Sequence, residues 1–259
     1  MSFKLARVVG RGLPVGEPLP DVFESLVERG VRFYRGGAVL IGGTPGSMKT
    51  MFIGELVDRM KVPTLYISND SNEATIASRF IARRIQEDSK DVRERLIEDP
   101  EWAAEQLEDL DYVRWNFSPS PTLEEIEEEM EAFEELWGEY PHLVVVDILM
   151  KVDYVEEGSG TDESIVRYLD RLARETNSCI IIACHTSEND PGTNGSPTQP
   201  KKAFLNKITK MAILALTVAT DGDSFYVSPV KNRDGWADHT GESYFTFMVT
   251  PEYATIEEL

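Results

Sequence analysis

Cysteine and histidine are scarce: two and three residues in a chain of 259. Cys179 and Cys184 stand inside one apolar run, SCIIIAC. Their spacing suits neither a zinc knuckle nor a redox CxxC pair and reads as a buried strand. His142, His185 and His239 fall in no metal-ligand pattern, so a metal site built from protein ligands alone is not expected. Long hydrophobic runs are missing too. No stretch approaches the ~20 apolar residues of a membrane span, and the opening MSFKLARVVGRGLPVGEPLP has no apolar signal core. The expectation is a cytoplasmic protein with no membrane partner.

Positive charge is the third shortage. Lys and Arg number 26 against 46 Asp and Glu, a formal net charge of −20, which at first sight disfavours nucleic acid. The distribution weakens that objection. Residues 91–139 hold 18 acids and 3 bases, a net −15 that leaves −5 for everything else. This acidic stretch is read as a solvated outer face, with docking of a basic protein partner as the alternative. By contrast KKAFLNKITK carries Lys201, Lys202, Lys207 and Lys210 without an acid.

What is present is a regular alternation of two hydrophobic periods. Residues 1–20, with recurring Gly and Pro, read as an arm or linker, and 21–259 as a single domain. A short helix over 22–29 precedes GGAVLIGG, an apolar strand ending in glycines. TMFIGELVDRM, NEATIASRFIARRIQE and TDESIVRYLDRLARETN are amphipathic helices, and 90–110 is helical, acidic and exposed. PTLEEIEEEMEAFEELWG places Leu123, Ile126, Met130, Phe133 and Trp137 on one stripe. PTLYIS, DYVRWNF, HLVVVDILM and SCIIIACH are strands, and the apolar ones suit the middle of a parallel sheet. MAILALTVA, a DG turn, SFYVSPV and SYFTFMV predict closing hairpin strands. The fold class is α/β, a mostly parallel sheet flanked by helices with an antiparallel C-terminal edge.

Between the first strand and its helix lies GTPGSMKT: Gly43, Thr44, Pro45, Gly46, Ser47, Met48, Lys49 and Thr50. A phosphate-binding loop needs small residues so that backbone N–H groups converge, and a helix N-terminus that favours negative charge. Lys49 is placed to neutralise phosphates and the Thr50 hydroxyl to ligate Mg²⁺. Met48 stands where GxxxxGK[ST] has glycine. Asp147 closes LVVVD, at the crevice where open α/β sheets bind nucleotides, positioned to hold Mg²⁺ through water. Asp70, just past the second strand, is a candidate to activate a water. Glu73 competes for that task, and a helix-capping role competes for Asp70 itself. His185 ends its strand as a candidate γ-phosphate sensor or a structural hydrogen-bonder. The polar loop behind it, SENDPGTNGSPTQPKK, leads into the lysines that are the candidate DNA contacts. In VKNRDG, Lys231 and Arg233 are expected to share one face of an edge strand and project together.

Taken in order, these residues resemble the RecA-fold ATPase domain of DnaB-type helicases and related single-domain helicases of plasmids and phages, from about residue 36 to 247. GGAVLIGGTPGSMKT is similar to that family's Walker A segment and HLVVVDILM to its Walker B strand. SNDSNEATIASR resembles its Ser-x-Glu stretch, which puts Asp70 at the catalytic glutamate and Arg79 at a following arginine. NFSPSPTLEEI resembles the passage before Walker B, and KNRDG the Lys-x-Arg-x-Gly pattern. The resemblance implies ATP with Mg²⁺, a hexameric ring or filament, and sites between subunits where Lys231 and Arg233 reach a neighbour's nucleotide. It also implies single-stranded or branched DNA contacted by loops after Asp147 and His185; the first, DYVEEGSGTDES, is acidic, and the second, SENDPGTNGSPTQPKK, is the one suited to DNA. A phage-encoded chain would work in the host cytoplasm. Only about 35 residues precede the core, which favours a stand-alone motor over a loader-dependent replicative helicase. A RecA/RadA-like recombination ATPase is the near alternative. A weakly active, nucleotide-gated DNA-binding scaffold is an alternative of another kind, suggested by Met48, the shorter Asp70 and the acidic 91–139 face.

Overall fold

The computed structural model describes residues 16–153 and 161–259, so residues 1–15 of the expected arm, and 154–160 in the loop after the Walker B-like strand, lie outside the described residues. Pro18 bridges to Tyr34 and Leu19 is buried; the chain has therefore joined the core before residue 21. Helices and strands are numbered here over the described residues. α1 spans Glu24–Glu28, β1 Gly37–Gly43, α2 Lys49–Met60, β2 Thr64–Ser68 and α3 Glu73–Ile85. α4 (Ser89–Glu98), α5 (Pro100–Leu107), β3 (Val113–Asn116), α6 (Leu123–Trp137), β4 (Leu143–Asp147), α7 (Asp162–Thr176) and β5 (Cys179–His185) follow. The chain closes with β6 (Leu214–Asp221), β7 (Ser224–Asn232), β8 (Phe245–Thr250) and β9 (Thr255–Glu258).

These strands form one sheet in the order β3-β2-β4-β5-β1-β6-β7-β8-β9. The first six run parallel and the last three are added antiparallel. Because side chains alternate across a strand, one run feeds two cores. Val39 and Ile41 of β1 pack with Phe52, Ile53 and Leu56 of α2, while Ala38 and Leu40 face α6 and α7 through Ile126, Met130, Leu169 and Leu172. Both cysteines are buried and free.

Local chemistry explains the boundaries. Thr122 and Glu125 make a reciprocal capping box at the start of α6, and Gly138 in the left-handed region ends it. The acidic 90–110 stretch is two helices, because Asp99 leaves helical geometry and caps α5, whose first residue is Pro100. Its exposed glutamates follow from a single narrow apolar contact: Val92 and Ala103 pack on Ile81 and Ala82. β9 was not expected from the sequence; TIEE alternates weakly, and it is fixed by pairing with β8 rather than by its own pattern.

Candidate functional site

Parallel strands put their C-terminal ends on one rim, and β2, β4, β5 and β1 are neighbours in the sheet. Four separate sequence signals therefore meet there: the loop after β1, Asp70 after β2, Asp147 at the end of β4 and His185 at the end of β5. Gly46, Met48, Lys49, Thr50, Asp70, Arg79, Asp147 and His185 line a common cleft of about 370 Å³.

The loop from Gly43 to Thr50 is shaped by close approach. A methyl group at Gly43 would lie 2.3 Å from Ser47 Oγ and 2.7 Å from the Val218 carbonyl, so only glycine lets the strand pass under the loop. Thr44 is half-buried, Pro45 and Gly46 are exposed, and Gly46 turns with a φ of 80°. Met48 holds the left-handed conformation, φ 60° and ψ 28°, immediately before α2. Its side chain offers no cap, so the first-turn N–H groups of α2 lack a side-chain acceptor and suit an anion.

The buried Lys49 ammonium donates to the carbonyls of Gly43 and Thr44, each at 3.0 Å, and to Ser47 Oγ at 3.3 Å. Burial lowers its pKa, against the opposing charges of Asp147 and Asp70. His185 Nδ1 lies 3.5 Å from the ammonium. Burial and the Lys49 charge lower the pKa of His185, which favours a neutral imidazole able to accept from a neighbour. Asp147 is buried; burial raises its pKa, while hydrogen bonds from Thr50 and Tyr66 work the other way. The Tyr66 hydroxyl lies 3.2 Å from Asp147 Oδ2.

A hydroxyl and a carboxylate held together are hard oxygen donors. Among the described residues no group of three or more His, Cys, Asp and Glu side chains gathers to hold a metal alone. The pair fits Mg²⁺, which commonly takes one or two protein ligands beside a substrate's phosphates.

Asp70 does not cap α3: Asn72 does, accepting from the Thr75 amide at 2.9 Å. Glu73 opens α3 and lines a different, apolar groove with Phe80 and Trp115. Asp70 is bound instead by Lys151, whose Nζ lies 2.6 Å from Oδ1. Tyr66 and Lys151 belong to no motif in the sequence. Tyr66 hides in an apolar strand, and only the register that sets Ser68 beside Asp147 reveals it.

The lysine-rich segment lies apart from this cleft. Lys201, Lys202, Lys207 and Lys210 line one open groove with Phe204 and His239. Lys202 is paired with Asp190 at 3.0 Å. The preceding loop is pinned by buried Gln199, which donates to the carbonyls of Ser187 at 2.7 Å and Asp190 at 3.1 Å and pairs with Thr186 beside His185.

One expectation needs correction. β7 lies inside the sheet, between β6 and β8, although β8 covers it only from Ser224 to Val227. Lys231 does not project with Arg233. Its ammonium turns back to the carbonyls of Thr209, Lys210 and Ala212, at 2.5, 3.2 and 2.6 Å. Those carbonyls, in the turn before β6, need a donor, and Arg233, past the end of β7, is exposed.

This fold and rim define a RecA-like core of the kind found in the ATPase domains of DnaB-like helicases. One such solved ATPase domain superposes with a TM-score of 0.80 at 14% identity, covering 98% of this chain and 96% of that one. A DnaB-like replicative helicase whose structure was described with its primase interactions gives 0.81 at 15%, covering 99% of this chain and 68% of that one. No family model matches the chain. The gene 65 protein of Mycobacterium phage L5 is 34% identical over 242 residues, 88% of each chain. The gene 65 protein of Mycobacterium phage D29 is 36% identical over 219 residues, 80% of this chain and 92% of that one. The chain belongs to this family of phage gene 65 proteins. Among the described residues no helix is long and apolar enough to cross a membrane.

Proposed function

We infer that the protein binds ATP with Mg²⁺ in the cleft beneath Gly43–Thr50 and hydrolyses it to drive movement on single-stranded or branched DNA. The carrying observation is the convergence of Lys49, Thr50, Asp70, Asp147 and His185 on one rim. Loop amides and Lys49 would hold the phosphates, with Thr50 and Asp147 holding Mg²⁺. The metal supplies charge neutralisation at the phosphates. Asp70 is the candidate to orient and deprotonate the attacking water. His185 Nδ1 lies 3.5 Å from the Lys49 ammonium on one side, and the chain after it enters the Gln199-pinned loop, a continuous path from the phosphate site toward the lysine groove. Lys201, Lys207 and Lys210 are the candidate contacts to the DNA backbone.

Assembly of copies, as a hexameric ring or filament, is part of the same proposal. Arg233 is the exposed cation fitted to reach a neighbour's nucleotide. Lys231 serves such a contact only if it leaves its three carbonyls. The DnaB-like neighbour in structure is a replicative helicase, which favours unwinding over the strand-pairing chemistry of a RecA/RadA-like recombination ATPase. A low-turnover, nucleotide-gated DNA scaffold is the second reading, favoured by the Lys151 ammonium on Asp70.

ATP hydrolysis with and without single-stranded DNA, beside Lys49→Ala, tests this. Turnover stimulated by DNA and abolished by Lys49→Ala is the expected result. ATP binding without turnover in either condition would leave the scaffold.

A further inference from the structure

The Asp70–Lys151 pair joins two strand ends that are locked to each other. The Asn69 amide donates to the Asp147 carbonyl at 2.9 Å, its side-chain Nδ2 donates to the Ile148 carbonyl at 3.0 Å, and its Oδ1 accepts from the Ile148 amide. Beyond that clamp the chain makes one short turn, Leu149–Lys151, with Leu149 buried and the Lys151 amide bonded to the Ile148 carbonyl at 3.2 Å. The base of Lys151 is thus fixed. Its ammonium reaches Asp70 Oδ1 at 2.6 Å and the Asn69 carbonyl at 3.3 Å.

A carboxylate that activates water must accept the water's hydrogen bond and then its proton. An ammonium at 2.6 Å occupies one of its two oxygens and opposes that transfer. The pair is also exchangeable. Its side chains are 41% and 50% exposed, and exposed ion pairs are weak. A phosphodiester oxygen offers the same ammonium an equivalent acceptor.

We propose that Lys151 is a positioning residue that restrains Asp70 until nucleic acid draws its ammonium onto a backbone phosphate, making hydrolysis depend on DNA. The proposal rests on the ATPase and DNA readings above. It also accounts for a carboxylate that lines the nucleotide cleft yet is bound by a neighbour from the Asp147 strand.

ATP turnover of the purified full chain, with and without single-stranded DNA, tests it in Lys151→Met, Lys151→Gln and Lys151→Arg. Folding of each variant is checked by circular dichroism, and each is paired with its Lys49→Ala version. Both neutral variants are expected to raise DNA-free kcat by up to about fivefold, the range of an exposed pair. KM for ATP should be unchanged and DNA stimulation largely lost. Arginine, which also pairs with a carboxylate, should restore DNA dependence. A lysine with a merely structural role would lower kcat and not be rescued in this pattern. DNA-free kcat at or below wild type with stimulation intact overturns the proposal, as does wild-type turnover indifferent to DNA. Absence of Lys49-dependent turnover in every variant, wild type included, overturns the ATPase reading itself.

Discussion

At Met48 the backbone already has the conformation that the motif's glycine would supply, with φ at 60°. A left-handed L-residue costs roughly 1–2 kcal/mol, and the half-buried thioether side chain packing on the core returns a similar amount. Met48→Gly is therefore expected to leave stability within about 1 kcal/mol of wild type by urea denaturation, and ATP affinity within a few-fold. A large loss of affinity would mean that the loop has been rebuilt around the methionine. Asp147 shows the opposite balance. Burial raises its pKa, so the folded chain keeps the proton longer than the unfolded chain does. Stability from this group consequently falls as pH rises from the ordinary aspartate value through the raised one. Asp147→Asn should flatten that part of the stability–pH curve and leave the urea midpoint at pH 7 unchanged or higher. Mg²⁺-dependent turnover should be lost. Individual residues were legible where the motif names them, as with Lys49, Thr50 and Asp147. They were not legible where the partner comes from a distant segment, as with Tyr66 on Asp147 or Lys151 on Asp70.

At the scale of elements, α2, α3 and the C-terminal hairpin are joined by a buried ionic cluster that no local pattern announces. Arg83 Nε lies 2.8 Å from Glu55 Oε2 and 2.9 Å from the Ala254 carbonyl, and Arg59 reaches the Ile256 carbonyl at 3.0 Å. Glu55 and Arg83 are almost fully buried, and removing one leaves the other with a single remaining partner of opposite charge, Arg59 at 2.5 Å from Glu55 or Asp58 at 3.8 Å from Arg83. Arg83→Met is expected to cost less than the ~3–5 kcal/mol of a buried charge left wholly unpaired, and Glu55→Met with Arg83→Met to recover part of that loss. Urea denaturation of the single and double variants reads this directly; equal losses in both would mean that packing, not charge, is decisive. The amphipathic stripes of α6 and α7 were readable because each helix carries its own period. Glu55, Arg83 and β9 carry no such period, because their partners lie far along the chain. The same distance explains Lys231, whose role is set by carbonyls at the end of the lysine turn.

For the whole molecule, the acidic and basic residues are sorted by the topology. α7 packs against both α6 and the 205–210 turn, so it stands between the glutamate-rich helix and the lysine groove. Two elements with a helix packed between them lie roughly one helix diameter apart, ~10–12 Å, about the Debye length at 0.1 M salt. A net charge of −20 therefore need not repel a strand at the groove once salt is near physiological. Binding of single-stranded DNA should weaken with salt in proportion to the phosphates neutralised, with a slope of roughly −0.7 per contact. Lys202 must exchange Asp190 for a phosphate before it contributes, so Lys201, Lys207 and Lys210 supply most of that term. Replacing those three by alanine is expected to make the log–log salt slope shallower by roughly 2, measured by fluorescence anisotropy across a salt series. Parallel lines displaced to weaker binding would show that the lysines shape the groove without touching phosphate, and would move the DNA contact elsewhere on the rim.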